Sequence, residues 1–356
     1  MTTNMFKSLK ENLFRNIGVD LGTTKTLVYV KGKGIIVNEP TVVATNNKTN
    51  QILAIGREAE EMLGKTPVHI SAIKPLCNGV ISDFEVTEKM LHYFLEKAKR
   101  KGVLGQVFDW PRLVIGVPTG GTEVEKRAVE DVAHSAGAKE VYLVEEPIAV
   151  ALGAQVPVKE SRGVLIADIG GGSTEVAVIS LGGIVVSKSL RVAGDKLNED
   201  IVHYFRDKFK LSIGEKTAER IKLFIGSAVD SGTKQEMNVK GRDLVRGLPK
   251  EIKVKEDDIR EAMEASLAKI IDAIKDTIEL TPPELIGDIM ETGIILSGGT
   301  SLLKGFDKLL EDSVDLPVNL IDDPVTSVIR GIGIILEDLN GFKNLLINIA
   351  RENPPL

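Results

Sequence analysis

The stretch Asp168-Ile169-Gly170-Gly171-Gly172-Ser173-Thr174 decides how the chain is organised. The four apolar residues before it predict a buried strand, and the alternating residues 175–179 predict a second strand. Three consecutive glycines remove every side chain from the turn, so backbone N–H groups can approach an anion. A Walker loop or a dinucleotide fingerprint would instead run from a strand into a helix. The stretch therefore predicts a phosphate-binding hairpin, with Asp168 facing a divalent cation or its waters.

A second copy of this pattern lies near the start of the chain, at Asp20-Leu21-Gly22-Thr23-Thr24-Lys25-Thr26. It also lies between two apolar runs, residues 17–19 and 27–30. Either copy alone is equally compatible with an ordinary glycine-rich hairpin turn. Two copies favour two similar half-domains, each offering one hairpin to the phosphates of a nucleotide. At these motifs the sequence resembles the superfamily of actin, sugar-kinase and heat-shock-chaperone ATPases.

The composition limits both the architecture and the partners. A chain of 356 residues is long for one compact core, so two lobes are expected. A net charge of −6 argues against nucleic acid as a principal ligand. Cys77 is the only cysteine, which excludes an intramolecular disulfide and fits a reducing cytosol. The histidines lack metal-ligand spacing, and no apolar run is long enough to predict a transmembrane helix.

Two apolar segments each allow two interpretations. Residues 1–15 predict an amphipathic helix, which either packs on the domain or lies in a membrane interface. Its apolar face is formed by Met5, Phe6, Leu9 and Leu13. The loop at 103–110, with Leu104, Phe108 and Trp110, either enters the core or joins that helix at a membrane.

Two further turns are candidates for chemistry. Glu145-Glu146-Pro147 lies between a predicted strand (140–144) and a predicted helix (148–153). A carboxylate there is well placed for catalysis in an α/β fold, but it could also simply pair with the helix dipole. Ser297-Gly298-Gly299-Thr300-Ser301 follows another strand and is predicted to lead directly into a helix carrying Leu302. Its glycine pair could admit a base and ribose, or could be an ordinary strand-to-helix turn.

Periodic apolar residues predict several helices elsewhere. The segment 217–225 is one of them, with Thr217 as its plausible N-cap. The main remaining predictions are 87–101, 123–136, 198–209, 256–280 and 326–336.

Taken together, the motifs narrow the resemblance to the MreB family of bacterial actin-like proteins, over about residues 16–338. The segments that carry it are 17–40, 145–147, 168–180, 191–195, 217–222 and 282–285. The resemblance implies an α/β, actin-like ATPase fold. Two duplicated ribonuclease-H-like lobes, with four subdomains in total, would surround a central nucleotide cleft. Lobe I would comprise residues 16–151 plus 328–356, with a small subdomain at 38–74. Lobe II would comprise 152–327, with a small subdomain at 191–255.

The resemblance also implies a weak ATPase whose cofactors are ATP and Mg²⁺. Asp20 and Asp168 would organise Mg²⁺ and its waters, and Glu146, assisted by Ser173, would orient the attacking water. The phosphates would be held by Thr23, Thr24, Lys25, Gly170, Gly171 and Gly172. The adenosine side would be lined by Glu219, Arg220, Ile221, Lys222, Gly298, Gly299, Thr300 and Ser301.

Three positions depart from the family pattern. The usual Thr-Ala-Asn turn is Thr23-Thr24-Lys25 here, which adds a positive charge near the phosphates. The usual Gly-Gly-Gly-Thr-Thr has Ser173 at its fourth position, and the usual Gly-Gly-Gly-Ala reads Gly298-Gly299-Thr300-Ser301. These departures bear more on the rate of hydrolysis than on nucleotide binding.

The resemblance further implies homopolymeric filaments that direct cell shape and cell-wall synthesis. They would lie in the cytoplasm on the inner face of the cytoplasmic membrane, with membrane proteins of the cell-wall elongation machinery as partners. Two other classes compete. A chaperone ATPase needs a substrate-binding domain, and only about twenty residues follow Leu336. A small-molecule kinase needs a base for a substrate hydroxyl, which Glu146 could supply, so a phosphotransfer assay on a sugar panel would discriminate.

Overall fold

The computed structural model describes residues 14–99, 110–230, 232 and 235–347. Within these residues the chain separates into two compact units. The first contains the described residues up to Met62, Thr66–Pro157 and those from Thr326 onward, and the second contains Leu63–Lys65 and Val158–Val325. The predicted amphipathic face at residues 5–13 and most of the apolar loop at 103–110 lie outside the described residues.

The first unit is built around a five-stranded sheet with helices on both faces. In chain order its elements are β1 (Phe14–Leu21), β2 (Lys25–Val30), β3 (Gly34–Pro40), β4 (Val43–Asn46), β5 (Ile52–Ile55), α1 (Arg57–Met62), β6 (Ile70–Ile73), β7 (Leu76–Cys77), β8 (Val80–Ile81), α2 (Phe84–Lys97), β9 (Trp110–Val117), α3 (Glu123–Ser135), β10 (Glu140–Glu145), α4 (Glu146–Gly153) and α10 (Ser327–Glu337).

The second unit repeats this architecture. Its elements are β11 (Val164–Ile169), β12 (Thr174–Ser180), β13 (Gly183–Leu190), α5 (Gly194–Phe209), β14 (Leu211–Ser212), α6 (Glu215–Ile225), β15 (Glu236–Asp243), β16 (Pro249–Lys255), α7 (Glu256–Glu279), α8 (Pro283–Thr292), β17 (Ile294–Ser297), α9 (Phe306–Val314) and β18 (Val318–Leu320).

The two large sheets share one topology. Their strand orders are β10-β9-β1-β2-β3 and β18-β17-β11-β12-β13. In each sheet, three consecutive strands form an antiparallel meander, and two later strands add in parallel beside the first. Both strand–turn–strand hairpins predicted from the sequence are present, and each joins the first two strands of its sheet. The expected duplication is therefore visible in the topology of the sheets.

The apolar residues that predicted the strands form the cores. In the first unit the odd-numbered residues of β1, Ile17 and Val19, are fully buried in a cluster that includes residues of α2 and α3. On the opposite face of β1, Gly18 faces Ile332 of α10. In the second unit the core contains buried residues of the sheet and of α5, α6, α7 and α9. Each sheet is thus a rigid base for the turn at its edge.

The start of β1 corrects the N-terminal boundary expected from the sequence. Phe14 and Arg15, grouped there with the amphipathic segment, are buried residues of β1. They pair in parallel with Trp110 and Pro111 of β9, and the Phe14 and Trp110 rings meet edge to face at 5.8 Å. Trp110, the one described member of the apolar loop, thus belongs to the sheet and is still 37% exposed. In the described part of the chain, no helix is long and apolar enough to cross a membrane.

Two helices of the second unit begin earlier than predicted. Helix α6 starts at Glu215 after the N-cap Gly214, so Thr217 lies inside its first turn and is not the cap. Helix α5 starts at Gly194 rather than at residue 198, because the backbone N–H groups of Gly194 and Asp195 bond to carbonyl groups of the 168–175 hairpin. Neither start carries a side-chain capping bond that a sequence pattern would indicate.

Two further helix limits differ from the predictions. Helix α2 starts at Phe84, where the Asp83 carboxylate accepts from the Val86 N–H at 3.0 Å, and it ends at Lys97 instead of residue 101. The prediction of a helix directly after the 297–301 turn is wrong. Residues Gly299–Leu302 form a short 3-10 turn, and α9 begins only at Phe306 because Gly305 interrupts the chain with a left-handed φ of 70°.

Candidate functional site

The Asp20 hairpin (residues 20–27) presents a short polar turn at the edge of the first unit's sheet. Asp20 pairs with Leu27 across β1 and β2, and the Gly22 N–H closes the turn by donating to the Lys25 carbonyl at 3.1 Å. The Lys25 side chain is exposed. The Thr24 hydroxyl oxygen is buried and has no hydrogen-bond partner among the described residues. A buried hydroxyl without a partner fits a site that takes its partner from a ligand.

Hydrogen bonds of threonine hydroxyl groups connect this hairpin to neighbouring loops. The buried Thr41 donates its hydroxyl to the Gly22 carbonyl at 2.7 Å and lies 2.9 Å from the Thr26 hydroxyl. The Gly79 N–H, in the turn between β7 and β8, donates to the Thr23 hydroxyl oxygen at 2.9 Å. Because that oxygen accepts from Gly79, the Thr23 hydroxyl keeps its own hydrogen to donate to an anion.

The Asp168 hairpin (residues 168–175) has the same backbone design in the second unit. Asp168 pairs with Glu175 across β11 and β12, and the Gly170 N–H closes the turn by donating to the Ser173 carbonyl at 2.9 Å. The Thr300 hydroxyl donates to the Gly170 carbonyl at 2.7 Å. The predicted phosphate turn and the predicted adenosine turn are therefore in direct contact within this unit.

The start of helix α5 joins the Asp168 hairpin to helix α6. The Gly194 N–H donates to the Gly170 carbonyl at 3.3 Å, and the Asp195 N–H donates to the Gly171 carbonyl at 2.8 Å. The Gly194 carbonyl in turn accepts from the Lys222 ammonium at 2.7 Å. This chain of bonds brings Lys222 to the same side of the unit as the glycine turn.

The four predicted residues of α6 have different surroundings. Ile221 is fully buried in the core of the second unit, so its side chain serves packing. Arg220 is exposed, and Glu219 and Lys222 are half-buried. Of the four, Lys222 is the residue for which a described bond leads to the Asp168 hairpin.

The turn Gly298–Ser301 packs directly on β11. Gly298 has a φ of 86°, and a Cβ atom there would lie 2.2 Å from the Ile169 carbonyl oxygen, so only glycine fits. The Ser301 hydroxyl stabilises the turn by donating to the Gly298 carbonyl at 2.6 Å. The 3-10 turn that follows keeps Thr300 beside the Asp168 hairpin.

Asp168 has the most perturbed carboxylate of the two hairpins. Burial and the neighbouring Glu175 raise the pKa of Asp168 to about 6, and a hydrogen bond from the Ser297 hydroxyl opposes that rise. One carboxylate oxygen, Oδ1, is buried without a hydrogen-bond partner among the described residues. Glu175 is itself buried and accepts from the Ser189 hydroxyl at 2.6 Å. A buried, partly unpartnered acid beside a second acid fits a site that binds a cation.

The ligand set available for such a cation is small. Across the described ranges, no three His, Cys, Asp or Glu side chains lie close enough together to hold a metal ion. Mg²⁺ commonly takes one or two protein carboxylates and completes its shell with water and phosphate oxygens. The residues around Asp168 fit an ion of that kind, bound together with a phosphate ligand.

The acidic pair Glu145–Glu146 lies where β10 ends and α4 begins. Glu145 is the N-cap of α4 but makes no side-chain capping bond, and Pro147 occupies the first turn as predicted. Burial raises the pKa of the Glu145 carboxyl, and the Lys126 ammonium opposes that rise. Glu146 is half-buried at the first position of α4.

Several residues of these two sites were not identified from the sequence. Thr41, Gly79, Gly194 and Ser297 all contact a hairpin or its carboxylate. Only Gly194 lies in a segment that carried the resemblance, at 191–195. Ser297 stands in the 297–301 turn already singled out, although no role was assigned to it there. For Thr41 and Gly79 no local pattern is a signal, because a lone threonine or glycine in a loop is common.

A family model described as MreB/Mbl protein matches residues 14–344. The cell shape-determining protein Mbl of Bacillus subtilis (strain 168) is 44% identical over 326 residues, which is 92% of this chain and 97% of that protein. The cell shape-determining protein MreB of Escherichia coli (strain K12) is 44% identical over 343 residues, covering 95% and 98%.

The chain is also similar to solved structures of actin-like proteins. Crystal structures of MreB5 of Spiroplasma citri bound to ADP and to AMPPNP each superpose with a TM-score of 0.86 at 40% identity. Both cover 93% of this chain, and 98% and 97% of theirs. A MamK double helical filament has a TM-score of 0.77 at 23% identity, over 91% of this chain and 99% of that one, and shows likeness of fold alone.

Proposed function

The chain belongs to the MreB/Mbl family of actin-like, cell-shape-determining cytoskeletal proteins, and from that premise we propose that it binds and hydrolyses ATP with Mg²⁺ and polymerises into membrane-associated filaments. Family and actin-like fold were both predicted from the sequence, and both predictions are confirmed. Nucleotide binding is supported by the solved relatives that carry ADP and AMPPNP at 40% identity.

The observation that carries the proposal is the pair of hairpins. Each joins the first two strands of its sheet, is closed by the same glycine N–H bond, and has an aspartate at the same register position. We assign phosphate binding to Thr23, Thr24 and Lys25 of one hairpin and to Gly170, Gly171 and Gly172 of the other. The backbone N–H groups of a glycine turn, the Thr23 and Thr24 hydroxyl groups and the Lys25 ammonium are donors suited to an anion, which supports that assignment.

Catalytic roles follow from the carboxylates. Asp20 and Asp168 would hold Mg²⁺ and its waters, and the bound cation would neutralise charge on the phosphates. Glu146 would orient the attacking water, with the Ser173 hydroxyl assisting it. The turn Gly298–Ser301 and the α6 residues Glu219, Arg220 and Lys222 would line the adenosine side, and the buried Ile221 would support them from the core. Phosphoryl transfer depends mainly on position and charge, so modest displacements of Glu146 should slow it.

Sedimentation with phosphate-release measurement tests this proposal. Purified protein with ATP and Mg²⁺ should pellet at high speed, show filaments by negative stain and release phosphate slowly. Glu146→Ala should reduce release by about 10²-fold or more while ATP still binds and filaments still form. A protein that binds no ATP would overturn the nucleotide assignment. Transfer of phosphate to a sugar would favour the kinase alternative.

Membrane association is the part of the proposal that rests on the N-terminal segment. Lys7 and Lys10 outnumber Glu11 there, although the whole chain carries a net charge of −6; Arg15, counted with this segment from the sequence, is buried in β1 and is not available to a membrane. Basic residues each contribute about 1 kcal/mol near an anionic membrane surface, so one copy should bind weakly and a filament should bind by avidity. Membrane proteins of the cell-wall elongation machinery are the proposed partners on that surface.

Liposome flotation tests this attachment. Assembled wild-type protein should rise with anionic vesicles in a density gradient, where free filaments sediment, and Phe6→Glu with Leu9→Glu should release it from the vesicles while ATP binding is unchanged. Thr49→Glu with Gln51→Glu, two exposed positions around the β4–β5 turn, adds the same charge and is the matched control. If the Phe6/Leu9 variant still binds, Leu104, Phe108 and Trp110 become the next candidates. If wild-type filaments do not bind the vesicles, the proposed membrane association is wrong.

A further inference from the structure

Helix α10 packs against helix α4 with backbone in contact with backbone. A Cβ atom at Gly331 of α10 would lie 1.8 Å from the Ala149 carbonyl oxygen of α4. A Cβ atom at Gly153 of α4 would lie 2.1 Å from the Ser327 carbonyl oxygen of α10. Real side chains never fit such gaps, so two glycines set the spacing of this helix pair. Both helices belong to the first unit.

The far end of α10 is fixed by the sheet. The Lys31 ammonium, just after β2, donates to the Leu336 and Glu337 carbonyls at 2.8 Å each. The Tyr29 hydroxyl of β2 donates to the Glu337 carboxylate at 3.3 Å. A cation on the last carbonyls of a helix also interacts favourably with the helix dipole. Helix α10 is therefore held at both ends.

Gly116 of β9 is the point where α10 meets Glu146. A Cβ atom there would lie 3.2 Å from Val328 Cγ1, 3.5 Å from Glu146 Cγ and 3.6 Å from Ile332 Cδ1. Two side chains of α10 and the stem of Glu146 thus converge on the space that Gly116 leaves open. Val328 and Ile332 are also buried, so the α10 side of this space is closely packed.

We propose that α10 is a positioning element for the Glu146 carboxylate, acting through Val328 and Ile332 over Gly116. This inference rests on the proposed role of Glu146 in orienting the attacking water. None of the α10 residues needs to touch nucleotide for this role. Their effect is to fix the angle at which the Glu146 stem leaves the first turn of α4.

Position is decisive for such a carboxylate, because a displacement of about 1 Å can cost a reaction about 10²-fold. An alanine at residue 116 requires Val328 to yield by only a few tenths of an ångström. The chain should therefore fold. The new Cβ atom would lie 3.5 Å from Glu146 Cγ, an ordinary van der Waals contact, so any effect on the Glu146 stem must come through the displaced Val328 side chain of α10. We expect Gly116→Ala to lower kcat by about tenfold, with the Kd for ATP within about twofold of wild type.

A size exchange tests whether α10 transmits this effect. Val328→Ala removes the methyl groups nearest to residue 116, loosens the packing beside Glu146 and should lower kcat by itself. Combined with Gly116→Ala it should restore kcat to near the wild-type value, because the added methyl group fills the space that Val328 leaves. If Gly116→Ala does not fold, Val328→Ala with unchanged Kd for ATP tests the same contact from the other side.

The matched control is Gly287→Ala. Gly287 lies inside helix α8, and a Cβ atom there meets nothing within 4 Å, so the same substitution should leave kcat unchanged. Thermal melting checks the folding of every variant. Single-turnover hydrolysis of bound ATP gives the rate constant of the chemical step separately from filament turnover, and the losses expected in kcat should appear in it. A loss of kcat in Gly287→Ala equal to that in Gly116→Ala would overturn the proposal.

Glu146→Gln separates this proposal from the proposed function. If Gly116→Ala acts through Glu146, it should cause no further loss in a Glu146→Gln background. Losses that multiply, or a Gly116→Ala variant with wild-type kcat, would overturn the positioning role alone. A Glu146→Gln variant with wild-type kcat would overturn the catalytic role of Glu146, and the positioning role with it.

Discussion

In the first unit the register partner of Asp20 is Leu27, whereas in the second unit the partner of Asp168 is Glu175. The backbone designs are otherwise the same. Each turn is closed by a glycine N–H bond, and each turn carbonyl accepts a threonine hydroxyl at 2.7 Å, from Thr41 in one unit and Thr300 in the other. Duplication therefore preserved the backbone of the hairpin and changed the charges around it.

The difference in charge has a physical consequence. Asp20 is half-buried beside an apolar partner, while Asp168 is 8% exposed beside a second acid. A carboxylate that is buried next to another acid is costly until a cation compensates it. We therefore propose that, of the two aspartates, Asp168 contributes more to cation binding than Asp20, whose hairpin adds hydroxyl groups and Lys25 for the phosphates.

The largest expected effect comes from removing each carboxylate charge in turn. Asp168→Asn should weaken Mg²⁺-dependent ATP binding by about 100-fold and Asp20→Asn by about 10-fold, since water competes less at the buried site. The measurement is the Kd for ATP with Mg²⁺ and with chelator. Equal losses in the two variants would mean that the hairpins share the cation evenly.

The second effect is on the pH dependence of stability without metal or nucleotide. The folded-state pKa of Asp168, about 6, exceeds the ordinary value of 3.8. Between these values the folded chain binds more protons than the unfolded chain, so the free energy of unfolding falls as pH rises and the loss is complete above about pH 6. Its size is roughly 3 kcal/mol.

The Asp168→Asn variant has no carboxyl group at this position, so its free energy of unfolding should not fall in this way as pH rises from 5 to 7.5. Its stability relative to wild type should therefore be greater at pH 7.5 than at pH 5. Urea denaturation of the chelator-treated proteins measures it. A wild-type slope in Asp168→Asn would show that another buried group titrates there.

The third effect concerns the two threonine bonds to the turn carbonyls. Thr41→Val should lower the free energy of unfolding by about 2 kcal/mol and Thr300→Val by about 1 kcal/mol, because Thr41 is fully buried and also pairs with Thr26. Thr→Ser at each site keeps the hydroxyl and should retain more of the stability. If Thr300→Val lowers the free energy of unfolding more than Thr41→Val does, the Thr300 bond is the more important of the two.

The smallest expected effect is that of Lys25, which occupies the turn position held by Ser173 in the other hairpin. Lys25→Ser makes the two turns alike there and should weaken ATP binding by no more than about fivefold, since an exposed charge contributes about 1 kcal/mol or less. The loss should shrink at high salt. Lys33→Ser, an exposed lysine in the next turn, should have no effect on the Kd for ATP.

The hairpins could be predicted because their signal is local. Strand, aspartate, glycine turn and strand lie within about fifteen consecutive residues, and the apolar periodicity identifies the buried faces. The same holds for Pro147 in the first turn of α4 and for the 24-residue helix α7. Two copies of a local pattern also predicted the duplicated topology of the sheets.

The supports of the hairpins could not be predicted, because they come from distant parts of the chain. Thr41 is 19 residues from Gly22, and Gly79 is 56 residues from Thr23. Predictions of where helices start were wrong for a related reason. The N-cap Gly214 makes no side-chain bond, whereas the more suggestive Thr217 lies one turn further on. The roles of the individual site residues stay predictions until the variants above are measured.

Strand β1 also has a mechanical consequence. It lies in the middle of its sheet, bonded to β2 on one side and β9 on the other, and it runs from Phe14 to Leu21 over roughly 23 Å. Tension applied to the chain ahead of Phe14 would pull along the strand and load both rows of hydrogen bonds at once, in shear. Such a geometry resists force far better than one that opens bond by bond. A filament tethered by its N-terminal residues could thus bear load through the same strand that ends at its phosphate turn.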